Sequence, residues 1–152
     1  MADVFSRRKR SEIMSRVKSS GNRATEFALM TLFRRHRISG WRRRARIFGN
    51  PDFIFPAQRL SVFVDGCFWH GCPRHSTHPS SNRAFWRSKL AGNKRRDRLV
   101  SRTLKQRGWR VLRVWQHELS RRNEKRLAAR VRRALEGCCV EVSKATGGPA
   151  LR

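Results

Sequence analysis

Acidic side chains are scarce in this chain of 152 residues: 10 Asp and Glu stand against 37 Lys and Arg, a formal net charge of +27. An excess of that size goes far beyond the roughly 2 to 8 charges that keep a small domain soluble. It points to a polyphosphate partner, because each Lys or Arg seated on a phosphate releases a condensed counterion. Long apolar runs are also missing, as is a clean basic helix with a lipid-facing side, so a membrane partner is not expected. The N-terminal MADVFSRRKR leads into charge rather than an apolar segment, which does not resemble a secretory signal and makes a cytosolic, reducing compartment the expectation. With four cysteines in such a compartment, metal ligation is favoured over a Cys67–Cys72 disulfide. No internal repeat is visible, and the length suits one domain with a single core.

The chain divides into a basic, apolar-poor arm over 1–21, a single domain over 22–137 and an aperiodic tail over 138–152 that is expected to be disordered and carries Cys138 and Cys139. Asn22 can cap a helix over 23–36, in which Phe27, Leu29, Met30, Leu32 and Phe33 recur at helical spacing. The Arg-rich approach over 41–48 is followed by GNP and then by two apolar runs, 52–55 and 60–64, separated by PAQR, which read as a hairpin. If Phe55 pairs with Leu60, Asp52 lies opposite Phe63. Ser81 or Asn82 opens a long helix that stops at Gly108. WRVLRVW over 109–115 reads as a buried strand, and a last helix follows Asn123 and closes at Gly137. This order predicts an α/β domain with a central mixed sheet flanked by helices.

The densest chemistry lies in VDGCFWHGCPRH, from Val64 to His75. Cys67 and Cys72 are soft ligands, His75 is a borderline one, and His117, just past the predicted strand, can close a tetrahedral zinc site from a distance. His78 can replace His75, and two buried free cysteines are the alternative to a metal. Asp52 heads an apolar strand beside Val64 and Asp65, an arrangement of oxygens that suits a hard cation such as Mg²⁺. In the register above Asp65 shares the face of Asp52, and a one-residue slip would reverse that. Glu26 in the first helix either favours the helix dipole or reaches a metal through water. His70 can be a base, a phosphate donor or a further ligand. Phe68 and Trp69 would point opposite ways on an extended segment, and exposed aromatics amid this charge suit wedging between bases.

PDF at Pro51–Phe53, VDGCFWHGCPRH, the Phe85–Trp86 pair followed by KLAGNKRRDR, and GWRVLRVW at Gly108–Trp115 together resemble the very short patch repair (Vsr) endonucleases, over about Asp3 to Gly137. The resemblance implies a restriction-endonuclease-like fold. It also implies Mg²⁺-dependent nicking 5′ to the thymine of a T:G mismatch left by deamination of 5-methylcytosine.

By position, the resemblance assigns Mg²⁺ to Asp52 with the backbone carbonyl of Val64, leaving Asp65 open as a further ligand. Asp52, His70 and Glu26 become the catalytic set. Structural Zn²⁺ falls to Cys67, Cys72, His75 and His117, although a cysteine often stands where this chain has His117. DNA contact falls to Phe68 and Trp69 as an intercalating pair, Met14 as a wedge from the other groove, and Trp86, Lys89, Asn93 and Arg96. The expected partner is mismatched double-stranded DNA bound by a monomer at the bacterial nucleoid, with mismatch-repair proteins and a DNA polymerase acting downstream. The rival readings are a zinc-stabilised DNA-binding protein without catalysis and a restriction-like nuclease with another DNA substrate.

Overall fold

A computed structural model describes residues 8–9, 23–75 and 82–137. Met14, His78, Ser81, Cys138, Cys139 and the tail over 138–152 lie outside the described residues, as does most of the arm, in which Arg8 and Lys9 are helical and exposed.

Helix α1 (Arg23–Arg35) places Glu26 in its first turn and Arg34 and Arg35 in its last, each sign at the end where the helix dipole favours it. Leu29, Met30, Leu32 and Phe33 are buried, but Phe27, expected on the same stripe, is 51% exposed. The 3.6-residue period puts Phe27 outside the arc that Glu26, Leu29, Met30 and Phe33 define. The helix ends in a Schellman turn one residue earlier than expected. The Ile38 N–H donates to the Phe33 carbonyl (2.8 Å) and the Arg37 N–H to that of Arg34 (3.1 Å), with Arg37 in the left-handed region (φ 52°) and Ile38 buried beneath it.

Four strands form one mixed sheet in the order β1 (Arg42–Arg43), β2 (Phe53–Phe55), β3 (Leu60–Asp65), β4 (Arg110–Trp115). The hairpin has the expected register, with Phe55 opposite Leu60 and Phe53 opposite Val62. β3 and β4 run parallel from Leu60/Arg110 to Asp65/Trp115, and the 24-residue helix α2 (Arg83–Gln106) makes the crossover that a parallel pair requires. Strand β1 lies within the Arg-rich approach, where no strand was expected; two arginines carry no strand signal, and pairing with Ile54 and Phe53 creates the element. β4 is less buried than its composition suggests: only Val114 is buried, because the strand lies at the sheet edge and carries Arg110 and Arg113.

Period-two alternation along β3 divides the core. Leu60 and Val62 face α1 and α3 (Glu124–Glu136), in a cluster with Phe33, Phe53, Phe55, Val114, Leu127 and Val131. Phe63 faces α2, in a smaller cluster with Val100 and Leu104. Asp65 and Asp52 fall on that α2 side, at the end of the sheet where the smaller cluster stops. Helix α2 closes on Gly108 (φ 77°), whose N–H and that of Trp109 donate to the carbonyls of Lys105 and Leu104. Its N-cap, Asn82, is left-handed and makes no side-chain cap; Asn123 likewise turns away from α3 to donate to the His117 carbonyl and the Ser120 hydroxyl. Gly137 ends α3 with φ −58°, so it stops the helix without the left-handed turn expected of glycine.

Candidate active site and metal centre

Cys67 and Cys72 bracket a tight turn in which the Cys72 N–H donates to the Cys67 carbonyl (2.9 Å) and the His70 N–H to that of Gly66 (3.2 Å). Gly71 sits at φ 63°, in the left-handed region that glycine adopts without strain, with the mobile end of the Lys94 side chain lying over it. Across this turn Cys67 Sγ is 3.3 Å from His117 Nδ1, while Cys72 Sγ is 3.6 Å from the same nitrogen and 3.8 Å from His75 Nδ1. All four ligand atoms lie within 4.8 Å of one another. A zinc tetrahedron with bonds of about 2.0–2.3 Å has edges of roughly 3.3–3.8 Å, so three of the pairs already stand at edge length and the set as a whole would close onto the ion by about 1 Å. Burial pushes the Cys67 thiol up, more than the backbone amides of His117 and Gln116 lower it, with the neighbouring Cys72 adding to the rise. A metal cation is what would stabilise the thiolates there.

The same turn aims His70 into a cavity of about 240 Å³ walled by Asp52, Phe63, Asp65, Arg96, Asp97 and Arg113. His70 Nδ1 is 2.6 Å from Asp97 Oδ2, which leaves Nε2 as the free ring nitrogen. Burial pushes the Asp97 carboxyl up, but the hydrogen bond and charge of His70, with Arg113 and Arg96, more than offset this and hold it below its usual range. Asp65 gives both oxygens to Arg113 Nη1, at 3.1 and 2.9 Å, and lies 3.8 Å from His70 Nδ1. Its carboxyl is raised, chiefly by burial, against the opposing charges of Arg113 and His70.

Opposite the histidine, Asp52 Oδ2 accepts from the Val64 N–H at 2.7 Å. Burial pushes the Asp52 carboxyl up to about 6, partly offset by that amide and reinforced by the charges of Glu26 and Asp65. Glu26 is buried against Arg43, which β1 brings to it. A desolvated carboxylate with further acids beside it fits a small divalent cation, whose charge would offset the cost of burial.

Phe68 and Trp69 do not diverge as they would on an extended segment, because the turn brings their rings edge-on at 5.1 Å. Trp86 joins them at 5.2 and 6.0 Å, with Phe85, 53% exposed, beyond it. Asn93 Nδ2 donates to the Trp69 carbonyl (2.8 Å) and so ties the aromatic turn to α2. Lys89 and Arg96 are exposed on α2, and Arg96 reaches the cavity wall.

A family profile described as DNA mismatch endonuclease Vsr matches residues 2–76. The DNA mismatch endonuclease Vsr of Escherichia coli (strain K12) is 33% identical over 149 residues, covering 95% of this chain and 93% of that protein. The chain belongs to the Vsr family of DNA mismatch endonucleases. The type II nicking enzyme V.XorIIP of Xanthomonas oryzae pv. oryzae is 41% identical over 125 residues, covering 79% of this chain and 88% of that enzyme. V.NaeI of Lentzea aerocolonigenes, also a type II nicking enzyme, is 53% identical over 68 residues, but the match spans only 41% of its length.

Membership makes the fold restriction-endonuclease-like and the protein a nuclease, and no helix among the described residues is long and apolar enough to cross a membrane. Within this Vsr fold the structure sets Asp52, Val64, Asp65, His70 and Arg96 around one cavity, with Glu26 close enough for its charge to act on Asp52, gathers Cys67, Cys72, His75 and His117 into one cluster and packs Phe68, Trp69 and Trp86 together; Lys89 is placed only as an exposed residue of α2, and Asp97, Arg113 and Arg43 are added. Asp97 left one signal, as the single acidic residue of α2. Arg43 and Arg113 left none among so many arginines.

Proposed function

We propose that this protein nicks one strand of duplex DNA on the 5′ side of the thymine in a T:G mismatch. The observation that carries this reading is the His70–Asp97 pair facing Asp52 across one cavity, on a turn that also presents Phe68 and Trp69. The E. coli relative is a mismatch endonuclease and the X. oryzae relative a nicking enzyme by name; the T:G choice rests on the resemblance and on unstacking. A T:G wobble stacks less securely than a Watson–Crick pair, so inserting Phe68 and Trp69 beside it costs less of the few kcal/mol that each unstacked step requires.

With its Nδ1–H donated to Asp97, His70 offers Nε2 to a water and can take its proton as that water attacks the phosphorus, while the ester P–O bond on the opposite side breaks and the leaving sugar oxygen takes a proton from solvent. Asp52 and the Val64 carbonyl, with Glu26 behind them, would hold Mg²⁺, which when bound offsets negative charge on the phosphate oxygens. Asp65, taken up by Arg113, is assigned to the charge network around His70 and not to the metal. Arg96 and Lys89 on α2 supply phosphate contacts, and Cys67, Cys72, His75 and His117 hold structural zinc. Met14 on the arm would wedge from the opposite groove. The product nick would pass to mismatch-repair proteins and a polymerase, with the nuclease acting as a monomer.

A labelled duplex with a single T:G pair should be cut on the T strand in Mg²⁺ and remain whole in EDTA. Its matched control should also remain whole. Equal cutting of both duplexes would sink the mismatch reading and favour a restriction-like nuclease with another target.

Trp69→Ala should cost roughly 1 to 3 kcal/mol of T:G affinity, the stacking worth of one aromatic face, and most of the preference over matched duplex. The salt dependence of nonspecific binding should be unchanged, since it belongs to the Lys and Arg surface. Fluorescence anisotropy on both duplexes at several salt concentrations measures this, and retained preference would show that Trp69 packs the turn without wedging.

A further inference from the structure

We propose that Arg113 is a positioning residue for nicking, the clamp that keeps His70 on Asp97 and holds Asp65 away from it. This deepens the reading above and rests on His70 serving the attacking water. The guanidinium joins three elements. From β4 its Nη1 donates to both Asp65 oxygens on β3, at 3.1 and 2.9 Å, while Nη2 donates to Asp97 Oδ1 on α2 at 3.1 Å. The Phe63 ring lies beneath it, 5.0 Å from Cζ to centroid. The strand register explains the reach: Arg113 is paired with Phe63, and Asp65 is the next residue of β3 on the same face.

Asp97 is thereby fixed at both oxygens, Oδ1 by Arg113 and Oδ2 by His70. Asp65 Oδ1 lies only 3.8 Å from the same His70 nitrogen. A free Asp65 would compete for the Nδ1–H and draw the ring toward β3, turning Nε2 off the line of attack. A forked guanidinium can hold two carboxylates at once. A lysine ammonium has three donors, but they radiate from one atom on a flexible stem and do not fix two carboxylates in a set geometry. The cost of the arrangement is visible at Arg113 Nε, which is buried without a partner among the described residues.

Arg113→Lys is the decisive variant because it keeps the charge and removes the fork. Single-turnover nicking of the T:G duplex in saturating Mg²⁺ should fall about 10-fold to 100-fold, the scale of a misplaced reacting group, while duplex Kd stays within about threefold. Nitrogen-15 spectra of the His70 ring should change from one tautomer, protonated at Nδ1, to a mixture. The double variant Asp65→Asn/Arg113→Gln removes the Asp65 carboxylate together with its guanidinium and leaves Asp97 hydrogen-bonded to His70, so it carries the test if Arg113→Lys does not fold; it too should nick at least about 10-fold slower, since Asp97 Oδ1 has lost its anchor. Wild-type rates in either folded variant, with His70→Ala inactive, would overturn the clamp. Wild-type rates in His70→Ala would instead overturn the role of His70 and the inference with it.

Discussion

Asp52→Asn is expected to abolish nicking and, at the same time, to raise the melting temperature of the metal-free protein. The carboxyl is pushed up to about 6 from an ordinary 3.8, so the fold binds its proton more tightly than the unfolded chain does. Stability from this group is therefore fully present below pH 3.8 and is lost as pH rises through about 6, where the buried carboxylate becomes charged. A shift of about two pH units corresponds to roughly 3 kcal/mol, and at roughly 2–4 °C per kcal/mol for a domain of this size the gain is several degrees. Asparagine can still accept the Val64 amide through its carbonyl oxygen, so the hairpin keeps its bond. Melting both proteins in EDTA at pH 4, 6 and 8 should show nearly no difference at the acid end and the full gain at pH 8. Mg²⁺ should then stabilise the wild type and leave the variant unmoved. Nicking by Asp52→Asn would end the metal assignment, and equal melting at pH 8 would end the argument from burial.

The parts of this site that were legible in the sequence are those fixed by local geometry. The PAQR connection and two alternating runs set the hairpin register, and that register alone places Asp52 on the face of Asp65. Ligand types so close together as Cys67, Cys72 and His75 made a metal-ligand cluster the expectation, and the distant fourth member, His117, arrives at 3.3 Å because β4 runs parallel to β3 and ends beside the turn. What could not be read depends on which surfaces meet. The pairing of Asp97 with His70 needs α2 to lie across the sheet with one particular turn facing it, and Arg113 is indistinguishable by composition from the arginines that face solvent. Strand β1 exists because Phe53 and Ile54 offer it a ladder, and Arg43 becomes the partner of Glu26 only through that pairing. The Phe27 error has the opposite origin, a hydrophobic residue counted into a stripe that the helical period excludes.

Loss of zinc should be more damaging than loss of any catalytic group, because the metal would close the turn that carries three functions. Cys67 and Cys72 flank Phe68, Trp69 and His70, and His117 ties that turn to the end of β4. Metal binding of this kind contributes apparent free energies of about 10–16 kcal/mol in small zinc domains, comparable with the whole stability of about 5–15 kcal/mol typical of a domain. Cys72 is almost fully buried, so Cys72→Ala should yield a protein without zinc that is unfolded or melts far below the wild type. One equivalent of zinc should copurify with the wild type, and a strong chelator should shift Trp69 and Trp86 fluorescence before the sheet melts, since the two rings pack on the chelated turn. His117→Cys supplies a thiolate at the same corner and should keep the metal, which His117→Ala should not. Elemental analysis finding no zinc in folded, active wild type would remove the metal from this account, and the turn would then depend on its backbone hydrogen bonds, the aromatic cluster and the Asn93 tether alone.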